Sequence, residues 1–284
     1  MKILKFVVFT MLVTVGAVSQ TQVTGSLTTR VNTFITNMPS GNGSNQYQVP
    51  TSTQINRWGN IITNILQGQY SAANDTAALI GYQLLEYTDN TTSPNKLYYV
   101  LEKTTSSTNY WGMFIYNPNA ARSKLFIQSP HPKYDLNTGQ QGFYVFKNVG
   151  AIAFYVSGTH RCNSSLFSSC SGTTSTCSSG AESYRKSDQP HNVDGTLYKS
   201  TEILNSTITN LLVIQPHGFA QDTGDPDIIM SNGTYSSPTS TDYLIILRNN
   251  LATIDPTLTF AVVHLGQATK LYATENTQGR LING

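Results

Sequence analysis

The order of strand-like and helix-like segments constrains this chain more than any other feature. Four β-type runs come first, ALIGYQLLEYT, KLYYVLEK, WGMFIY and KLFIQ, separated by turn-rich pieces such as DNTTSPN and NPNAARS. Links this short favour antiparallel neighbours. After SPHPKYD the texture changes. GQQGFYVFKNVG reads as a helix, AIAFYVSG as a strand, DGTLYKSTEILNSTITN as a helix and LLVIQPHG as a buried strand. Strands alternating with helices imply parallel pairing through right-handed crossovers. DYLIILRNNLA and TFAVVHLG add one more helix and one more strand. The expectation is a single α/β domain, residues 20–284, with a mixed, partly parallel sheet that is antiparallel at its beginning and parallel in its middle.

Two helices are expected before the first of these strands. In TTRVNTFITNM, Val31, Phe34, Ile35 and Met38 share a face. In TSTQINRWGNIITNILQGQY the stripe Ile55, Trp58, Ile61, Ile62, Ile65 and Leu66 is stronger, with Thr51 or Ser52 to cap it and Gly68 to end it. Both are read as covers for the main sheet. The hydrophobic fraction of 39% over 284 residues suffices for the core of a domain this size.

Residues 1–19, MKILKFVVFTMLVTVGAVS, have the form of a signal peptide: Lys2 and Lys5, an apolar run from Phe6 to Val15, then the small residues Ala17 and Ser19. The stretch is short for a membrane anchor, and no later segment is long and apolar enough to span. A secreted or periplasmic location follows as an expectation. Loss of the two lysines leaves 15 basic against 15 acidic residues. A neutral chain lacks the basic surface that a nucleic-acid partner requires. An oxidising compartment permits a disulfide among Cys162, Cys170 and Cys177. The expected local pair is Cys170 with Cys177, with pairing of Cys162 to either left open. The spacing lacks the close cysteine pairs of structural zinc sites.

Chemistry concentrates where strands end. KLFIQ runs into SPHPKYD, AFYVSG into THRCN, and LVIQ into PHG. In open α/β sheets ligands bind beyond the carboxyl ends of parallel strands, so His131, His160, Arg161 and His217 are candidates for one shared site. His264, inside an apolar run, is expected to be a hydrogen-bonded core or edge histidine. Two imidazoles and a carboxylate form a frequent catalytic zinc set with a position left for water. His131, Asp135 and His217 supply that set. Pro130 and Pro132 stiffen the strand exit, which suits a plain turn as well as a metal ligand.

SPH with a nearby acid, a strand-end Arg and Asn, and a later HG after a β run resemble the zinc-dependent amidohydrolase and carboxypeptidase superfamily. The likeness is greatest to its N-formylglutamate amidohydrolase and poly-γ-glutamate hydrolase branches and spans roughly residues 125–218. It implies a zinc carboxypeptidase-like fold and Zn2+ on His131, Asp135 and His217. It also implies that Arg161 and Asn163 grip a substrate carboxylate and polarise the reacting carbonyl. In the mechanism expected from such a site, Arg161 stabilises the oxyanion, Asn163 or His191 fixes the carboxylate, and Arg280 is a second anion contact. The implied substrate is a small molecule or peptide bearing a carboxylate. Here the acid is Asp at plus four where the carboxypeptidases have Glu at plus three. The resemblance also implies a late glutamate as general base. Glu275 is the only glutamate after His217, and the alternative is a base beyond Gly284. From its surroundings alone, Arg161 could instead form a loop salt bridge to Asp188 or Asp194. A carbohydrate-binding module, suggested by the many tyrosines, predicts no imidazole cluster. A serine hydrolase lacks its G-x-S-x-G elbow here.

Overall fold

The computed structural model describes residues 20–284, and the expected signal peptide lies outside the described residues. Strand β1 (Thr21–Gly25) is followed by helices α1 (Leu27–Asn37), α2 (Ser52–Leu66) and α3 (Tyr70–Ala78). Then come β2 (Tyr82–Asp89), β3 (Lys96–Lys103), β4 (Met113–Tyr116), β5 (Arg122–Ser129), α4 (Thr138–Val149) and β6 (Ala151–Val156). A short hairpin, β7 (Thr173–Thr174) and β8 (Glu182–Ser183), precedes α5 (Thr196–Thr207), β9 (Leu212–Ile214), β10 (Ile228–Met230), α6 (Tyr243–Ile254), β11 (Phe260–Val262) and α7 (Thr277–Asn283).

Seven strands form one mixed sheet in the order β1-β2-β3-β4-β6-β5-β9. Antiparallel pairing runs from β2 through β3 and β4 to β6, while β6-β5 and β5-β9 are parallel, as is β1 on β2. Period-two alternation sends successive residues to opposite faces. Leu84, Leu101, Phe114, Phe126 and Tyr155 meet α2, α3 and α5 on one face. Leu85, Val100, Ile115, Ile127 and Phe154 meet α1 and α4 on the other. Both faces are covered, which is why the central strands read as unbroken apolar runs.

The N-terminal helices cover the sheet as expected, one on each face. Helix α2 starts at a capping box, in which Thr51 Oγ1 accepts from the Gln54 N–H and the Gln54 side chain accepts from the Thr51 N–H. Its stripe is sealed by Trp58, fully buried, whose Nε1 donates to Ser200 Oγ of α5 at 2.9 Å.

Three expectations change. LLVIQPHG does form a strand, but β9 is the edge of the sheet and half-buried throughout. TFAVVHLG forms β11, which pairs in parallel with β10 in a small separate sheet. The disulfide joins Cys162 to Cys177, with Cα atoms 5.3 Å apart, and Cys170 is the free thiol. The physical reason lies in the surrounding loops. Pairing of β7 with β8 holds the chain after Cys170 extended, and Cys170 Sγ instead donates to the Glu275 carbonyl at 3.3 Å. The loop at residues 42–43 grips both true partners: Asn42 Nδ2 donates to the Cys177 carbonyl at 2.5 Å, and the Gly43 N–H to the Cys162 carbonyl at 2.8 Å.

Cys162→Ser should lower unfolding stability by about 2–4 kcal/mol through the loop it frees, and Cys170→Ser should leave the disulfide in place. Denaturant melts with non-reducing peptide mapping check both. A Cys170–Cys177 peptide in wild-type protein would contradict the pairing.

Candidate metal centre

Strand β5 sits between its two parallel neighbours, and the chain reaches them over opposite faces, through α4 to β6 and through α5 to β9. That reversal opens a crevice at the carboxyl ends of the three strands. Each strand delivers a residue there: His131 after β5, Arg161 after β6 and His217 after β9.

The turn after β5 is built to fold Asp135 back on His131. The Asp135 N–H donates to the His131 carbonyl at 3.1 Å, and Thr138 Oγ1 contacts the carbonyls of both His131 (3.1 Å) and Asp135 (2.8 Å). Gly139 closes the turn. A Cβ there would come within 2.6 Å of Pro132 and 2.7 Å of Ile35, so only glycine fits. Gly218 has a related role. A Cβ at that position would press to 3.3 Å on the backbone of Asp135, so the glycine lets the end of β9 close on the β5 turn.

The result is a convergence on one carboxylate. Asp135 Oδ2 lies 3.1 Å from His131 Nδ1 and 3.2 Å from His217 Nδ1, and the two rings meet edge to face with centroids 5.1 Å apart. The guanidinium of Arg161 holds the other oxygen, Asp135 Oδ1. His131 and Asp135 are buried, whereas the His217 side chain is 35% exposed, so the cluster is open on the His217 side.

Second partners decide what the Nδ1 atoms are. His131 Nε2 faces Asp188 Oδ1 at 2.8 Å, and His217 Nε2 faces Gln215 Oε1 at 2.8 Å. Asp188 Oδ1, Gln215 Oε1 and Asp135 Oδ2 are all acceptors, so each neutral ring donates to only one of its two partners; with Nε2 protonated toward Asp188 or Gln215, Nδ1 is left as a lone pair beside Asp135. Burial, reinforced by the charge of Arg161, lowers the His131 pKa to about 4. Loss of hydration, then the neighbouring His131 and Arg161, lower that of His217. Burial alone would raise Asp188, but the hydrogen bond from His131 and the charge of Arg161 hold the carboxyl below its usual range. In that tautomer two imidazole lone pairs and an anionic oxygen face one another. A cation satisfies all three. The donor set fits a divalent metal, with Asp188 and Gln215 as the outer acceptors that commonly orient ligand histidines.

The remaining expected residues fall outside this cluster. Asn163 is fully buried and its amide is committed to the N-terminal loop, accepting from the Tyr47 N–H at 2.6 Å and donating to Ser44 Oγ at 2.9 Å. His191 forms a second layer, stacked on Tyr184 with Nδ1 at 3.2 Å from the Glu275 carbonyl, and burial lowers its pKa to about 4. The Glu275 side chain lies toward Gly172, and its carboxylate is not among the converging groups. Arg280 is exposed and bonds the Thr274 carbonyl and Ser171 Oγ. His160 Nδ1 accepts from the Cys162 N–H at 3.1 Å. His264 lies after β11 with Nε2 at 2.9 Å from Asp242 Oδ2, a hydrogen-bonded interior histidine as expected. Arg161 pairs with Asp135, while Asp194 is taken by Lys186 at 2.6 Å.

Asp188 and Gln215 are the functional residues that strand-end reasoning missed. Asp188 sits in a loop far from any main-sheet strand, although KSDQPHN sets an acid three residues before a histidine. Gln215 is the last polar residue before PHG and reads as a strand terminus. Family models, curated proteins and solved structures were all compared with this chain, and none matches.

The depressed His131 and His191 values make metal-free stability pH-dependent. Between about pH 6.5, where an unfolded histidine titrates, and about pH 4, the unfolded chain binds more protons, so stability falls as pH falls. Urea melts across this window should show the decline, with a shallower slope in His131→Asn. A pH-independent midpoint would contradict the buried neutral imidazoles.

Proposed function

We propose that the chain is an exported, metal-dependent hydrolase that cleaves an amide bond in a carboxylate-bearing substrate such as a peptide, a γ-glutamyl compound or an N-acyl amino acid. The observation that carries the reading is the meeting of two imidazole Nδ1 atoms and one carboxylate oxygen at the carboxyl ends of parallel strands, open on one side. His131, Asp135 and His217 would hold the ion, and zinc suits two nitrogen donors with one oxygen. A divalent ion there supplies a Lewis acid and brings the pKa of a water toward neutrality.

The protein's own groups supply the rest. Asp188 keeps the His131 ring in its orientation, and Gln215 does the same for His217. Arg161 balances the charge of Asp135 and places a guanidinium beside the position where negative charge develops on a reacting carbonyl. Glu275, expected as the base, meets the second layer through its carbonyl on His191, so proton transfer is not assigned to its carboxylate in this reading. The disulfide and the absence, among the described residues, of a helix long and apolar enough to cross a membrane are compatible with export. The likeness of SPH, RCN and HG to the zinc amidohydrolase and carboxypeptidase superfamily points to the same chemistry.

Metal analysis of freshly purified protein should find stoichiometric zinc, lost in His131→Ala and His217→Ala. Chelation should abolish hydrolysis of a panel of N-acyl amino acids and γ-glutamyl peptides, and zinc should restore it. Zinc-free wild-type protein whose melting temperature does not rise on adding zinc would overturn the proposal.

A further inference from the structure

The orientation of the Gln215 amide decides whether His217 Nε2 meets an acceptor or a donor, in competition with Asp135 Oδ2 at Nδ1, and that orientation is set outside the cluster. Asn276 caps α7, with Oδ1 accepting from the N–H groups of Gln278 at 3.0 Å and Gly279 at 3.1 Å. Backbone N–H groups only donate, so Asn276 must present its NH2 on the other side, where Nδ2 donates to Gln215 Oε1. The Gln215 oxygen therefore faces outward, toward both Asn276 and His217, and its two lone pairs match those two donors. Its NH2 turns inward and donates to Gln128 Oε1 at 2.8 Å.

The row continues under the sheet. Gln128 is fully buried on β5, and its Nε2 donates to Thr201 Oγ1 at 2.9 Å. The Thr201 hydroxyl in turn donates to the Leu197 carbonyl in α5 at 2.8 Å. Every donor meets an acceptor, and both ends are anchored on helix backbone, N–H groups of α7 at one end and a carbonyl of α5 at the other. Reversing either glutamine amide alone would set like groups against each other, and the cost is greatest at Gln128, which is fully buried.

We propose that this row, with Asn276 as its anchoring residue, positions the metal centre by fixing His217 as the Nε2–H tautomer, leaving Nδ1 as a ligand atom. The functional consequence rests on the metal-centre reading given above. The tautomer itself is a property of the metal-free protein. Asn276, Gln215 and Gln128 are positioning residues, acting through His217.

Asn276→Asp isolates the effect. A carboxylate caps α7 as well as the amide does, but it sets an acceptor where Gln215 needs a donor. Gln215 then turns its NH2 outward, His217 Nε2 becomes an acceptor, and the ring proton moves to Nδ1, against Asp135. Imidazole nitrogen chemical shifts of the metal-free protein read this directly. The expected result is Nε2–H in wild type and Nδ1–H in Asn276→Asp. Zinc affinity, measured by chelator competition, should fall roughly ten- to hundredfold, although an added negative charge alone would raise it. Gln215→Glu keeps an acceptor toward both His217 and Asn276 and should retain the Nε2–H tautomer. A wild-type His217 found as Nδ1–H overturns the inference whether or not the variant folds. So does an Asn276→Asp protein with unchanged tautomer and zinc affinity. Wild-type protein with the expected tautomer but no zinc uptake instead overturns the metal reading and leaves the positioning role of the row intact.

Discussion

The carboxylate of Asp135 ties together the ends of three parallel strands. It is presented by the turn after β5, it holds the Arg161 guanidinium that follows β6, and it faces the His217 ring that follows β9. An anion this buried is stable only when its charge is answered. Arg161 answers it at Oδ1. At Oδ2 the neighbours are the Nδ1 atoms of His131 and His217, whose Nε2 atoms also meet acceptors. The architecture around Asp135 therefore balances one oxygen and leaves the other, with two ring nitrogens beside it, suited to a cation. The glycines at 139 and 218, the Thr138 turn and the switch of crossover faces all serve to bring these atoms together.

Much of this was legible in the sequence because it depends on local chain chemistry. Period-two apolar runs joined by short polar turns gave the antiparallel half, and helices between later strands gave the parallel half. Placement of His131, Arg161 and His217 straight after apolar runs was enough to bring them to one edge of the sheet, since a parallel sheet has all its carboxyl ends on one side. The capped apolar stripe of α2 was similarly plain. Less visible were β1, a polar edge strand, and α3, which buries only Ala73 and Ala77 and so shows no stripe.

What the sequence hid depends on contacts between distant segments. Asp188 reaches His131 across 57 positions, and Asn276 reaches Gln215 across 61. Neither has a periodicity to betray it. The disulfide failed for the same reason. Spacing favoured the nearer pair, but the hairpin of β7 and β8, and the loop carrying Asn42, bring Cys162 to Cys177. Asn163 illustrates the converse. Its neighbourhood to Arg161 suggested a substrate contact, whereas burial commits its amide to the N-terminal loop.

The Nε2 partners of the two histidines are unlike in kind. His131 is buried between two carboxylates, Asp188 at Nε2 (2.8 Å) and Asp135 at Nδ1 (3.1 Å), and the shorter contact is the one to Asp188. His217 lies at the open side and donates to an amide, a group that presents either an oxygen or an NH2 depending on which way it turns. A neutral partner adds no second negative charge beside an exposed ring, and so leaves the net charge of the cluster to be set by Asp135, Asp188 and Arg161. Its cost is ambiguity, and ambiguity in a single amide can be removed only by neighbours whose polarity is itself fixed. Helix backbone supplies that fixed polarity at both ends of the row. Hence the last short helix of the chain, though remote in sequence from the strand ends, is structurally part of the centre.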